Sequence, residues 1–460
     1  MAMIRLCHAI AIACALAAPT AAAPTAAAPT AAAPTAAAPT AAAPTAAAPT
    51  AAAQEKTAMP PSLDASALDT LRSAMHRLVD DKLRAGLVYG IVYRGKIVTI
   101  DAYGYRDLEH KLPMTADTIF RIFSMSRAVT SAAILTLVDD GTIGLDDPVA
   151  KYLPEFAATP VIRSVQGDEI LTEPQSMKLS VRHLFTYTAG LGYAFDWPKS
   201  LGFTMGDVLR LDEPTRVGIR ALATMPLLTQ PGAKWHYGFS GDVLGAVAEV
   251  AANEPLDRFL AERLTGKLGM KDTGFWLEPG QVGRLSRAYG PAGGQPLADI
   301  TSAWQKEYGT FDKPIKFLSA GGGLASTVPD YLRLLLMLLN GGELDGVRVL
   351  KPETVRMMLS RQTTPEQGLT YWYDPSASPL FKDRAWGLGI SVPAAEITPK
   401  SAPDGQMDGW AGLMNTVFFV DPGHDLAAVA MSQYLGPDAD ALGQTLHRGL
   451  YAALTHDGRD

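Results

Sequence analysis

Ser124, in the run Ser124-Met125-Ser126-Arg127, places a hydroxyl and, three residues on, a guanidinium at the head of an apolar stretch that continues through Ala132, Ile134, Leu135 and Leu137 to Gly141. The pattern predicts a helix that stops at Gly141. A serine in the first turn of such a helix lies among backbone N–H groups without intrahelical partners, near the positive end of the helix dipole. That setting favours an oxygen on which negative charge develops. Arg127 cannot accept a proton, because its pKa exceeds about 12, but it is a permanent cation. A second chemical landmark is Tyr237, in the P-G-A-K-W-H-Y-G-F-S-G-D run of residues 231–242. Alone it reads as a core tyrosine beside a proline-glycine turn. Placed near Arg127, its pKa would fall from about 10, and the resulting phenolate is a base able to take a serine proton. The neighbouring His236 is the weaker candidate for that task.

Residues 120–131, F-R-I-F-S-M-S-R-A-V-T-S, closely resemble the nucleophile segment of the penicillin-recognising serine hydrolases: class C-type β-lactamases, their carboxylesterase relatives and D-peptidases. Arg127 stands where that family carries the lysine of S-x-x-K. Residues 231–245 resemble the tyrosine motif of the same family. Residues 408–416, D-G-W-A-G-L-M-N-T, are similar to the W-G-G variant that the esterase branch has in place of K-T-G. Two framework stretches, 180–191 and 319–331, also resemble family landmarks. The match therefore runs from about Leu68 to the C-terminus, and His183 and Tyr187 read as packing residues.

The resemblance implies Ser124 as nucleophile, Tyr237 as proton shuttle and Arg127 as electrostatic support. It makes the backbone N–H groups of Ser124 and Leu413 the oxyanion hole, with Trp410, Gly412 and His236 on the substrate side. Tryptophan at 410 in place of lysine removes a cationic anchor for a substrate carboxylate. The closest branch is that of the family VIII carboxylesterases, and the expected activity is carboxylic ester hydrolysis through an acyl-Ser124 intermediate. The alternatives are a D-aminopeptidase, amide hydrolase or β-lactamase-related activity on the same scaffold, or a catalytically impaired binding protein because the lysine is missing. No cofactor and no metal is implied, and the expected partner is a small-molecule ester, amide or peptide.

The elements that must position these residues are legible in outline. Leu68, Leu71, Met75, Leu78 and Leu83 share a helical face. Residues 87–93 and 97–104 are β-rich runs around Arg94-Gly95-Lys96 and read as a hairpin. Residues 415–420 and 425–431 repeat the pattern, and Leu442, Leu446, Leu450 and Leu454 mark a last helix. Strands at both ends with helix-rich sequence between them predict an α+β fold. Its antiparallel sheet is built from both chain ends and flanked by helices, with a mostly helical lobe from the middle, as in β-lactamases and transpeptidases.

The chain has 460 residues, 47% hydrophobic and 19% charged, enough to bury a large core. A net charge of -7 without a lysine or arginine run argues against nucleic acid as a partner. Residues 1–18, with Arg5 before an apolar run, read as a secretory signal peptide too short to span a membrane, which would need about 20 apolar residues. A periplasmic or secreted location follows as an expectation, with no membrane span in the mature form. Both cysteines, Cys7 and Cys14, lie in this segment, so the processed chain has neither disulfide nor thiolate metal site. In residues 19–53 the pentapeptide P-T-A-A-A recurs seven times, and its prolines oppose the helix that alanine favours, so it reads as an extended spacer. Residues 54–460 are then the hydrolase-like domain. The eight histidines are scattered and no H-E-x-x-H occurs, which excludes an ordinary zinc hydrolase. In G-F-S-G-D at 238–242 the final glycine of a nucleophile elbow is replaced by Asp242.

Overall fold

The structure, a computed structural model, describes residues 63–369, 384–394, 408–438 and 440–454. The signal peptide and repeat spacer read from the sequence lie outside the described residues.

The first helix, α1, spans Ala65–Asp80, capped by the Asp64 carboxylate, which accepts from the N–H groups of Ser66 and Ala67. Leu71, Met75 and Leu78 are its buried face. Leu83 was expected on this helix but lies beyond it. The chain turns at Lys82 (φ 57°), and the Leu83 N–H then donates to the Leu78 carbonyl, returning the side chain to the same apolar cluster.

Eight strands form one antiparallel sheet: β1 (Gly86–Tyr93), β2 (Lys96–Asp107), β3 (Leu112–Pro113), β4 (Arg384–Trp386), β5 (Ser391–Pro393), β6 (Asp408–Gly412), β7 (Thr416–Asp421) and β8 (Leu426–Met431), in the order β4-β5-β6-β7-β8-β1-β2-β3. The chain ends meet where β1 pairs with β8, from Val88 opposite Met431 to Tyr93 opposite Leu426. Arg94 and Gly95, both at positive φ (49° and 72°), make the tight β1–β2 turn, whose backbone twist matches that of the strands. Alternation along β1 serves two layers. Leu87, Tyr89, Ile91 and Tyr93 pack with α1 and the C-terminal helix α5 (Ala441–Leu454), whereas Val88 and Val92 belong to the main core.

The long connection between β3 and β4 carries α2 (Ser126–Asp139) and α3 (Ser240–Ala252), which pack on each other in the helical lobe, and α4 (Val328–Leu339), which packs on β1 and β8 of the sheet. Every residue of α2 from Ser126 to Leu137 is buried. Because the helix is enclosed on every side, its polar side chains, Arg127 and Thr130 among them, find their hydrogen-bond partners inside the protein. This is the architecture expected from the sequence.

Candidate active site

Ser124 sits in a short 3-10 turn, Phe123–Met125, that leads directly into α2. Phe123 is at φ 43°, a costly conformation for a bulky L-residue that persists only where its surroundings over-determine it. They do so here through hydrogen bonds on both sides. The Ile122 N–H donates to the Leu324 carbonyl (3.0 Å), and the Leu324 N–H donates to Ser126 Oγ (3.1 Å). The Tyr331 hydroxyl donates to the Met125 carbonyl (3.0 Å), and the Gln433 amide brackets the backbone of Arg121.

The end of β6 closes on this turn. A Cβ added at Gly412 would lie 2.3 Å from the Ile122 carbonyl oxygen and 2.3 Å from Thr416 Oγ1, so only glycine lets the strand approach. The approach brings the turn at Leu413 beside Phe123, in one apolar cluster with Met414 and Trp304. Among the described residues, neither the Ser124 N–H nor the Leu413 N–H donates to a backbone carbonyl outside regular elements.

Tyr237 is buried, the Ser124 side chain lies close enough to favour its ionised form, and the Trp410 indole N–H donates to its hydroxyl oxygen at 2.9 Å. Trp410, expected to border the substrate, thus directs its only polar atom at the tyrosine. Its ring also packs on Tyr237 and Trp386, at centroid distances of 5.2 Å and 4.7 Å. His236, the other candidate base, is not joined to Ser124 by any recorded contact. Its Nε2 lies 3.1 Å from Thr229 Oγ1, and burial, reinforced by Lys234, lowers its pKa to about 4, which keeps it neutral.

Arg127 is 1% exposed and none of its recorded hydrogen bonds goes to Ser124. Its guanidinium donates to the hydroxyl oxygens of Tyr187 (2.5 Å) and Tyr193 (2.8 Å) and to the carbonyls of Gly321 and Gly238. The guanidinium carbon lies 4.2 Å from the centroid of the Tyr237 ring, a cation–π contact. Burial opposes its charge, but Tyr187, Tyr193, Tyr237 and Asp242 outweigh that, and the arginine stays protonated.

The expectation that Arg127 would lower the Tyr237 pKa below its ordinary value needs correction. Burial pushes the phenol well above that value, and the guanidinium and the Ser124 hydroxyl only partly offset it. The cation acts in the anticipated direction; desolvation of a phenolate in an enclosed site is the larger effect.

Several residues around this centre were not singled out as functional in the sequence. Tyr187 was read as packing, yet it holds Arg127 and stacks on Tyr237 (5.5 Å). Its positive φ of 59°, unusual for an aromatic residue, is invisible without coordinates. Tyr193 and Trp386 come from segments distant in sequence and carried no local signal, whereas Asp242, in the same run as Tyr237, stood out only as the replacement for the last glycine of a nucleophile elbow. His183, by contrast, is structural: its Nδ1 lies 3.2 Å from Ser180 Oγ in the cap of the helix Val181–Phe185.

Residues 71–453 match the family model described as Beta-lactamase. The chain belongs to the beta-lactamase family. Its relatives within this family include Protein Rv1367c of Mycobacterium tuberculosis, 34% identical over 80% of this chain and 90% of that protein. Esterase EstB of Burkholderia gladioli is 30% identical over 87% of this chain and 96% of that protein. Among solved structures, simvastatin synthase from Aspergillus terreus superposes with a TM-score of 0.72 over 85% of this chain and all (100%) of that one, at 23% identity, a likeness of fold. The family and its relatives indicate hydrolase or acyltransferase activity of the serine hydrolase type. Among the described residues no helix is long and apolar enough to cross a membrane, and no cluster of His, Cys, Asp or Glu could hold a metal ion.

Proposed function

We propose that this protein is a carboxylic ester hydrolase acting through an acyl-Ser124 intermediate. The observation that carries the reading is the convergence on Tyr237: the Ser124 hydroxyl stands close enough to favour its ionised form, its oxygen receives the Trp410 N–H and its ring faces the Arg127 cation. In the ionised form of Tyr237, Ser124 Oγ attacks the ester carbonyl as its proton passes to the phenolate. The carbonyl oxygen becomes an oxyanion held by the backbone N–H groups of Ser124 and Leu413. On collapse, Tyr237 returns the proton to the departing alkoxide and an alcohol leaves. Water then attacks the acyl-serine, losing its proton to Tyr237, and the carboxylic acid departs as Ser124 is regenerated.

Arg127 supports the phenolate without exchanging a proton, and Trp410 supplies the donor that directs the phenolate oxygen. An ester lacking a carboxylate suits a site with tryptophan at 410, and the relationship to esterase EstB favours the same substrate class. The rival reading, a binding protein, is favoured by one observation: the residue three places after Ser124 is a cation that cannot accept a proton.

Incubation with a short-chain chromogenic ester and an active-site-directed phosphonate separates the readings. Turnover together with a mass adduct on Ser124, both lost in Ser124→Ala, is expected. Ligand binding without turnover or adduct would leave only the binding protein. On the same footing we propose export, from the charged-then-apolar residues 1–18; a mature form that retains them inside the cell would overturn it.

A further inference from the structure

Arg127 is a fully enclosed cation, and among the described residues its recorded partners are hydroxyls and carbonyls, none of them a carboxylate. An uncompensated buried ion is costly, and a counter-charge must lie close.

One carboxylate meets the requirement. Asp242, in the first turn of α3 and 2% exposed, accepts from Ser319 Oγ (2.6 Å) and from the Gly321 N–H (3.2 Å), while the carbonyl of the same Gly321 accepts from Arg127. Burial pushes the Asp242 carboxyl above its usual range, and the two donors on one oxygen together with the nearby Arg127 oppose that and favour the carboxylate. Contact at this point is close. A Cβ at Gly321 would lie 2.7 Å from Asp242 Oδ2, so only glycine lets the loop slip between the two charges. The charged and titratable groups that share this interior are Arg127, Tyr187, Tyr193 and Tyr237, all within the field of the guanidinium.

We propose that Asp242 is the buried counter-charge of Arg127, joined to it through Gly321, and that it is a positioning residue which sets the balance of charge around Tyr237. The part concerning Tyr237 rests on the esterase reading; the charge pairing does not. Arg127 favours the phenolate, and Asp242 opposes it while keeping the arginine tolerable in the core. An aspartate at 242 thereby complements an arginine at 127: the site retains a cation beside the tyrosine without burying a net positive charge.

Asp242→Asn keeps the oxygen that accepts from Ser319 and Gly321 and removes only the charge. The test compares wild type, Asp242→Asn, Arg127→Met and the double variant by thermal unfolding and by the pH profile of ester hydrolysis. Both single variants should melt lower than wild type. The double variant should melt no lower than the less stable single, because it has no lone buried ion. Asp242→Asn should also move the ascending limb of the rate profile to lower pH by roughly 1 unit, the opposite direction from Arg127→Met.

A purely structural aspartate predicts additive losses of melting temperature and an unmoved profile, and that result overturns the proposal. Failure of the double variant to fold would overturn it too. If the wild type neither turns over esters nor labels at Ser124, the esterase reading fails, and the unfolding cycle still decides whether the two charges are paired.

Discussion

Arg127→Met removes the cation and keeps a side chain of similar reach. The guanidinium carbon stands 4.2 Å from the Tyr237 ring centroid. At an effective dielectric constant of about 20, two unit charges ~4 Å apart interact by about 4 kcal/mol. With ~1.36 kcal/mol per pKa unit, the phenolate loses support equivalent to about 3 pH units. Part of its charge sits on the oxygen, farther from the guanidinium than the ring centre, so the expected movement of the rate profile is about 2–3 units toward higher pH. On a limb that rises tenfold per pH unit this is a loss of roughly 100- to 1,000-fold at fixed pH.

Burial already raises the Tyr237 pKa, so the wild-type rate itself should still be climbing at pH 9 to 10. Arg127→Lys keeps the charge and should stay active, with its profile within about 1 unit of wild type. The assay is initial-rate hydrolysis of a soluble ester from pH 6 to 10. Circular dichroism should accompany it, because the methionine variant strips the Tyr187 and Tyr193 hydroxyls of a donor and should also lower stability by about 1–3 kcal/mol. A folded Arg127→Met with the wild-type pH profile would refute the electrostatic role of the arginine.

Trp410→Phe retains the aromatic packing and removes the N–H donated to Tyr237. Loss of a hydrogen bond to the phenolate, about 1.5–3 kcal/mol, should raise the Tyr237 pKa and so lower kcat at fixed pH roughly 10- to 150-fold with KM little changed, and a change confined to KM would assign Trp410 to substrate contact instead. His236 is held neutral with its pKa lowered to about 4, below the ordinary imidazole value of about 6.5. A depressed folded-state pKa means that this stability is intact above pH ~6.5 and is lost as the pH falls toward 4. The melting temperature should decline over that window, the decline should be smaller in His236→Gln, and identical acid profiles for the two proteins would remove His236 as its cause.

Where side-chain pattern is local and periodic, the sequence alone determined the outcome. The leucine spacing of α1 and α5, the alternation of β1 and the Arg94-Gly95 turn all led to the observed elements, and pairing of the two chain ends in one sheet followed from their order. The end of α1 was misjudged at Leu83, because a side chain can join an apolar cluster from a turn as well as from a helix. Serine, arginine, tyrosine and tryptophan could likewise be singled out by type and spacing.

Tertiary structure decided what surrounds them. The hydrogen-bond partners of Arg127 come from positions 187, 193, 238 and 321, with no periodicity to link them, and the indole of Trp410 turned out to serve the tyrosine. The acidity of Tyr237 was also out of reach of the sequence. The sign of a nearby charge can be read from residue types, but desolvation depends on how many segments close over the ring, and here that enclosure outweighs the cation.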